Sequence, residues 1–86
     1  MINYEKILIT GGTGSFGKAF IKLLIYSKIK KIKRLVVYSR DEFKQHQLSK
    51  MYPKTKYPFL RFFIGDVKDK ERLNRAMENI DLVVHA

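Results

Sequence analysis

The 86-residue chain contains no cysteine, no tryptophan and only two prolines. Without cysteine there are no disulfides and no thiolate metal sites. The two histidines, His46 and His85, lie far apart and lack neighbouring ligand partners, so no metal site is expected. No stretch approaches the roughly 20 apolar residues that a membrane-spanning helix needs. The early apolar run, Ile7 to Ile9, is too short for a secretory leader. A reducing, cytoplasmic setting with no membrane partner is the expectation that follows. The length suits one small domain, which buries a modest fraction of its surface and is correspondingly marginal.

Acidic residues are also scarce, 8 against 18 basic ones, for a net charge of +10. The imbalance is uneven along the chain: residues 1 to 65 hold 14 of the basic residues and 3 of the acids. The densest run, KIKKIKR from Lys28 to Arg34, raises the question of a nucleic-acid partner. A phosphate-tracking groove also wants aromatic or polar readers beside the charges. Ile29 and Ile32 interrupt the run instead and suit core contacts. A solvated loop is the better reading, and no nucleic-acid partner is expected.

What is present is an alternation of apolar segments. Lys6 to Thr10 is a short apolar run ending in glycine, as buried strands do. Phe16, Ala19, Phe20, Leu23, Leu24 and Ser27 follow the spacing of one helix face, widened by Ile21, Ile25 and Tyr26. Arg34 to Tyr38 is a second strand, rich in β-branched residues. Asp41 to Met51 reads as a weaker helix with Phe43, Gln47 and Met51 on one side. Pro53 and Pro58 bracket a loop, and Phe59 to Ile64 is a third strand. Asp69 is placed to cap a third helix with face Leu73, Ala76, Met77 and Ile80, ended by Asn79. Asp81 to Ala86 is a fourth strand. The order β-α-β-α-β-α-β with nearly continuous apolar strands predicts an α/β fold, a parallel sheet covered by helices. With no further helix and strand after the fourth, a bare edge and an uncovered face are expected. Residues 1 to 86 then form an incomplete portion of a doubly wound, Rossmann-type domain.

Four of the five glycines fall within residues 11 to 17, in the segment ILITGGTGSFGKAF from Ile7 to Phe20. Two phosphate-binding patterns overlap there. A P-loop would use Gly12, Gly17 and Lys18, but Ala19 stands where a magnesium-holding hydroxyl is required. The alternative is the triplet Gly11, Gly14 and Gly17. In a dinucleotide site the three glycines permit the tight turn, the approach of backbone to pyrophosphate, and close packing of helix on sheet. The amides opening the helix then face the anion. A ligand-free strand-to-helix turn is the third possibility. The dinucleotide reading fits best, because the triplet follows a strand, opens a helix and precedes a second strand.

The end of the second strand selects the cofactor. An acidic residue there suits the 2′-hydroxyl of NAD, and an arginine suits the 2′-phosphate of NADP. Here Ser39 and Arg40 follow Tyr38, with Asp41 one step further and Lys44 a helical turn on from Arg40. Ser39 can donate to the phosphate and Arg40 can present its planar fork, so NADP is expected. Arg40 paired merely with a surface carboxylate is the alternative. Asp66 closes the third strand, where such folds place a side chain against adenine, unless it serves as a plain turn residue after Gly65. His85 closes the fourth strand and is expected to be a buried, hydrogen-bonded residue with no catalytic role.

Together, ILITGGTGSFGKAF, VVYSRDEFKQHQL, RFFIGDVKDKERLNRAM and DLVVHA resemble the N-terminal part of the extended short-chain dehydrogenase/reductase superfamily. TGGTGSFG, Thr10 to Gly17, carries the general likeness. SRDEFK, Ser39 to Lys44, and FFIGDVKD, Phe62 to Asp69, are similar to the bacterial polysaccharide-biosynthesis branch that includes UDP-N-acetylglucosamine 4,6-dehydratases. The resemblance implies that Thr13, Gly14, Ser15 and Phe16 line the pyrophosphate. It implies that Ser39, Arg40, Asp41, Glu42, Phe43 and Lys44 surround the 2′-phosphate, and that Asp66 and Val67 hold adenine. It further implies a UDP-sugar substrate, a homo-oligomer for the full-length enzyme, and an internal redox cycle that removes water from the sugar. A sugar-nucleotide epimerase would share every one of these residues, and a non-catalytic NADP-binding protein is a further alternative. The family's acid–base tyrosine and lysine, four residues apart, lie beyond the fourth strand. Two such spacings occur here, Tyr26 with Lys30 and Tyr52 with Lys56, both at the wrong edge of the sheet. No catalytic residue is therefore expected within the 86 residues, and the chain alone is expected to bind NADP weakly at best and to be inactive.

Overall fold

A computed structural model of the chain describes residues 5–11, 13–26 and 32–85. The elements alternate as expected: β1 Lys6–Thr10, α1 Ser15–Ile25, β2 Arg34–Ser39, α2 Glu42–Met51, β3 Leu60–Ile64, α3 Lys70–Ala76 and β4 Leu82–His85. All three strand pairings are parallel and the sheet order is β3-β2-β1-β4. The chain therefore steps outward from β1 through β2 to β3, then returns across the sheet to lay β4 on the other side of β1. That reversal divides the helices between the two faces.

Alternation along the strands builds a core on each face. Ile7 and Ile9 of β1 and Leu35 and Val37 of β2 pack with Ile21 and Leu24 of α1 and Leu48 of α2. Leu8, Val36 and Tyr38 point the other way and meet Ala76 of α3, flanked by Phe63, Leu73, Met77 and Ile80. β1 and β2 are consequently buried on both sides, which is why their sequences are nearly unbroken apolar runs. The outer strands differ. β4 alternates half-buried and exposed residues, with Val83 45% exposed, and β3 leaves Ile64 at its exposed end. The fold is an incomplete Rossmann-type α/β sheet.

Local chemistry fixes the element ends. The Asp81 carboxylate accepts from the Glu5 and Lys6 amides, and the Asp81 amide donates to the Lys6 carbonyl, pinning the start of β4 to the start of β1. Asp41 caps α2 by accepting from the Lys44 amide, and Asp69 caps α3 by accepting from the Arg72 amide. Asn79 takes a positive φ of 61°, the left-handed turn that ends the α3 segment.

Two helix faces differ from the sequence reading. On α1 the buried residues are Gly17, Ile21 and Leu24, while Phe16, Leu23 and Tyr26 are exposed. On α2 they are Gln45 and Leu48, while Phe43 and Met51 are exposed and Gln47 faces solvent too. In α1 nearly every position is apolar or small, so spacing alone does not single out the inward stripe. In α2 a polar residue occupies the inward position because backbone carbonyls are there to receive it. Ile32 packs against the first core as expected. Ile29, with most of the basic run, lies outside the described residues, as does Gly12.

Candidate functional site

The carboxyl ends of all four strands open into one cleft of about 840 Å³. β1 contributes Thr10 and the turn residues Gly11 and Thr13; β2 contributes Tyr38, Ser39 and Arg40; β3 leads into Gly65, Asp66, Val67 and Lys68; β4 contributes His85. Asp41 and Glu42, at the start of α2, complete the wall. A parallel sheet whose strand order reverses leaves such a crevice where neighbouring connections diverge to opposite faces.

The glycine turn has the geometry the spacing implies. Gly11 adopts a φ of 68°, a conformation that disfavours any side chain. Its amide donates to the Tyr38 carbonyl at 2.9 Å and its carbonyl accepts from the Gly14 amide at 3.1 Å, closing a tight loop between β1 and α1. Gly14 is the N-cap of α1 and supplies no side-chain cap, and the first turn carries no acidic residue. The first amides of a helix have no intrahelical acceptor, and among the described residues no side chain caps α1. Ser15, Phe16 and Gly17 sit in that first turn, beside the cleft but not among its lining residues. A Cβ on Gly14 would meet the Gly11 carbonyl oxygen at an ordinary 3.6 Å, so packing within the chain does not by itself demand glycine there.

The β2 and β3 ends form the polar half of the cleft. Ser39 is buried, and its hydroxyl oxygen accepts from Gln45 Nε2 at 2.9 Å. Arg40 is exposed and its Nη1 lies 3.4 Å from Asp66 Oδ2. The carboxylate that Arg40 meets is therefore the one at the end of β3, within the same cleft. The Asp66 carboxyl is held below its ordinary pKa chiefly by the Lys68 amide donating to it, with burial opposing and the Arg40 charge assisting. Asp41 is engaged as the α2 cap, and Lys44 Nζ approaches it at 4.0 Å. Lys44 and the exposed Phe43 stand outside the cleft lining, while Glu42 and Val67 belong to it.

Sequence reasoning missed Tyr38 and Gly65. The Tyr38 hydroxyl donates to the Asp66 carbonyl at 2.8 Å, and its ring stacks on Phe63 with centroids 5.8 Å apart. Burial pushes the Tyr38 hydroxyl pKa up, so it remains protonated and fixed. A Cβ on Gly65 would lie 2.7 Å from Tyr38 Cζ, so glycine is what lets the β3 end close over the ring. Reading Tyr38 only as strand apolar surface hid its structural bond to the Asp66 turn. His85 corrects an expectation: it is exposed, at the cleft end of β4, with Nδ1 hydrogen-bonded to the buried Thr10 hydroxyl. β4 is an edge strand, and His85 shares its exposed face with Val83, which is why the ring is open to solvent.

Comparison with known proteins decides the family, since the polysaccharide biosynthesis protein family matches residues 7–86, nearly the whole chain. The chain belongs to that family. Within the polysaccharide biosynthesis family it is similar to a UDP-N-acetylglucosamine 4,6-dehydratase (inverting) of Campylobacter jejuni subsp. jejuni, 49% identical over 86 residues. That match covers 100% of this chain and 24% of the relative. A UDP-glucose 4-epimerase of Rickettsia canadensis is 43% identical over 83 residues, covering 95% of the chain and 24% of that protein. The X-ray structure of Pen from Bacillus thuringiensis superposes with a TM-score of 0.83 at 35% identity, over 95% of this chain and 24% of that one. The resemblance drawn from Thr10 to Gly17, Ser39 to Lys44 and Phe62 to Asp69 is thereby borne out. The chain spans about a quarter of the length of the relatives it matches.

Among the described residues, no three His, Cys, Asp or Glu side chains gather as a metal site would require. No helix of the described residues is long and apolar enough to cross a membrane.

Proposed function

We propose that residues 1 to 86 are the NADP-binding portion of a sugar-nucleotide 4,6-dehydratase of the UDP-N-acetylglucosamine class. The observation that carries this reading is the convergence of three features on one cleft: the Gly11 turn with an uncapped α1, the Ser39–Arg40 pair, and Asp66. Each suits one part of the dinucleotide. The free amides opening α1 and the α1 dipole suit the pyrophosphate. Ser39 and the Arg40 guanidinium suit a 2′-phosphate, for which they provide donors and positive charge. The Asp66 carboxylate, kept ionised, is an acceptor suited to the adenine amino group. Bound there, NADP would supply the hydride chemistry, while this chain's residues bind and orient it.

The reading is tested by titrating NADPH and NADH onto the chain and following its backbone amides by NMR. The expected result is tighter NADPH binding, with shifts at Gly11, Thr13, Ser39, Arg40 and Asp66, and loss of the preference in Arg40→Ala. Equal or tighter NADH binding, or shifts confined to other surfaces, overturns it. The likeness to a UDP-glucose 4-epimerase favours a second reading, the same cofactor portion serving an epimerase. Native protein isolated from its own cells and given UDP-N-acetylglucosamine separates the two. A dehydratase product is lighter than substrate by one water, and an epimerisation product has the same mass.

A further inference from the structure

Four polar side chains are buried among the described residues: Thr10, Thr13, Ser39 and Gln45. The first three border the cleft, and Gln45 does not. Gln45 projects from the first turn of α2 onto the carboxyl ends of β2 and β3, where it is 3% exposed. Its Nε2 lies 2.9 Å from Ser39 Oγ, 3.1 Å from the Phe63 carbonyl and 3.3 Å from the Ser39 carbonyl. A backbone carbonyl only accepts, so the atom that faces two of them is the amide nitrogen; the chemistry fixes the orientation of this amide. An amide nitrogen offers no lone pair, so Ser39 Oγ accepts from Gln45 and cannot donate to it. One Ser39 lone pair is thereby occupied, and its proton is directed away from Gln45.

We propose that Gln45 is a positioning residue that holds Ser39 as a hydrogen-bond donor toward the cleft, so that the site prefers a 2′-phosphate to a 2′-hydroxyl. The inference rests on the dinucleotide reading above. A phosphate oxygen only accepts, and its bond to a held hydroxyl is charge-assisted. A ribose 2′-hydroxyl gains most from an acidic acceptor, as in NAD sites, whereas Ser39 keeps one neutral acceptor lone pair beside the donor it presents. The same amide ties β2 to β3 through the Phe63 carbonyl, so the hydroxyl is aimed by the two strand ends rather than by its own rotamer.

The experiment is a double-mutant cycle on the 86-residue chain, with NADPH and NADH titrated onto wild type, Gln45→Met, Ser39→Ala and the double variant. Gln45→Met is expected to weaken NADPH by about ten-fold, the loss of one hydrogen bond to a charged group, and to leave NADH within about two-fold. In the Ser39→Ala background the same change leaves the NADPH-to-NADH ratio where Ser39→Ala alone puts it. A merely structural Gln45 weakens both cofactors equally, and that result overturns the proposal. Should Gln45→Met fail to fold, Ser39→Ala still decides. It keeps the Gln45 bond to the Phe63 carbonyl, and a wild-type ratio in that variant overturns the proposal. A wild-type chain without NADPH preference overturns the cofactor reading and this inference together. Wild-type preference with an unchanged ratio in both single variants overturns this inference alone.

Discussion

At the scale of single residues, the turn after β3 shows how little room the cleft wall has. Tyr38 is fully buried, and Gly65 is the position over which it closes. Gly65→Ala places a methyl against the tyrosine ring and hydroxyl, a form of overpacking that typically costs about 1–3 kcal/mol. Urea unfolding of Gly65→Ala is expected to show a lowered midpoint, partly restored when Tyr38→Phe removes the hydroxyl. A wild-type midpoint for Gly65→Ala sinks the argument. Asp66 next door gives a pH signature. Its carboxyl pKa is lowered in the folded chain from the ordinary 3.8, first by the Lys68 amide and then by Arg40. A depressed carboxyl contributes stability that is present above its unfolded pKa and is lost as pH falls through the folded value. Thermal unfolding followed below pH 3.8 is therefore expected to fall more steeply for wild type than for Asp66→Asn. Parallel curves exclude the linkage.

At the scale of elements, α2 carries the most information about what a sequence reveals. Its start was legible to within one residue: the apolar spacing began it at Asp41, which the fold makes the N-cap, accepting from the Lys44 amide at 3.0 Å. Its inward face was not. Phe43 and Met51 are apolar and at helical spacing with Gln47, yet Phe43 is 70% exposed and Gln45 lies inside. Apolar spacing identifies a buried face only when the core, rather than a pair of strand-end carbonyls, receives the helix. The same limit hid the Gln45–Ser39 contact, which joins two residues that no motif connects. In contrast, β1 and the glycine turn were legible because buried strands and positive φ each demand particular residue types. The cap supports a prediction about the element. Asp41→Ala is expected to cost about 1 kcal/mol, and amide hydrogen exchange should quicken across Glu42 to Gln45 before it does in β1. Uniform quickening through the whole chain means that the cap does not act locally.

At the scale of the whole molecule, the positions of the described tyrosines bear on the chemistry of the cleft. The cleft lies at the carboxyl edge of the sheet, whereas Tyr52 is buried beside Leu60 at the amino end of β3, with its ring edge-on to Tyr57 at 5.4 Å. Strand β3 spans 5 residues, so these edges are separated by roughly 15 Å at the rise of a parallel strand. Tyr26 caps the far end of α1, at the same distant edge. Among the described residues, the tyrosine that reaches the cleft is Tyr38. Its hydroxyl is already donated to the Asp66 carbonyl, its pKa is pushed up by burial, and the residue four places on is Glu42 rather than lysine. A tyrosine held protonated and bonded to backbone is unsuited to take a proton at neutral pH. On the dinucleotide reading proposed above, the cleft's part is to bind and orient the cofactor, and among its described lining residues no lysine stands four places after a tyrosine. The 86-residue chain, supplied with NADP and UDP-N-acetylglucosamine, is expected to yield no keto sugar by mass spectrometry, and Tyr52→Phe is expected to leave NADPH binding unchanged. Keto-sugar formation by the purified chain defeats this argument, because it requires an acid–base pair that the described cleft does not hold.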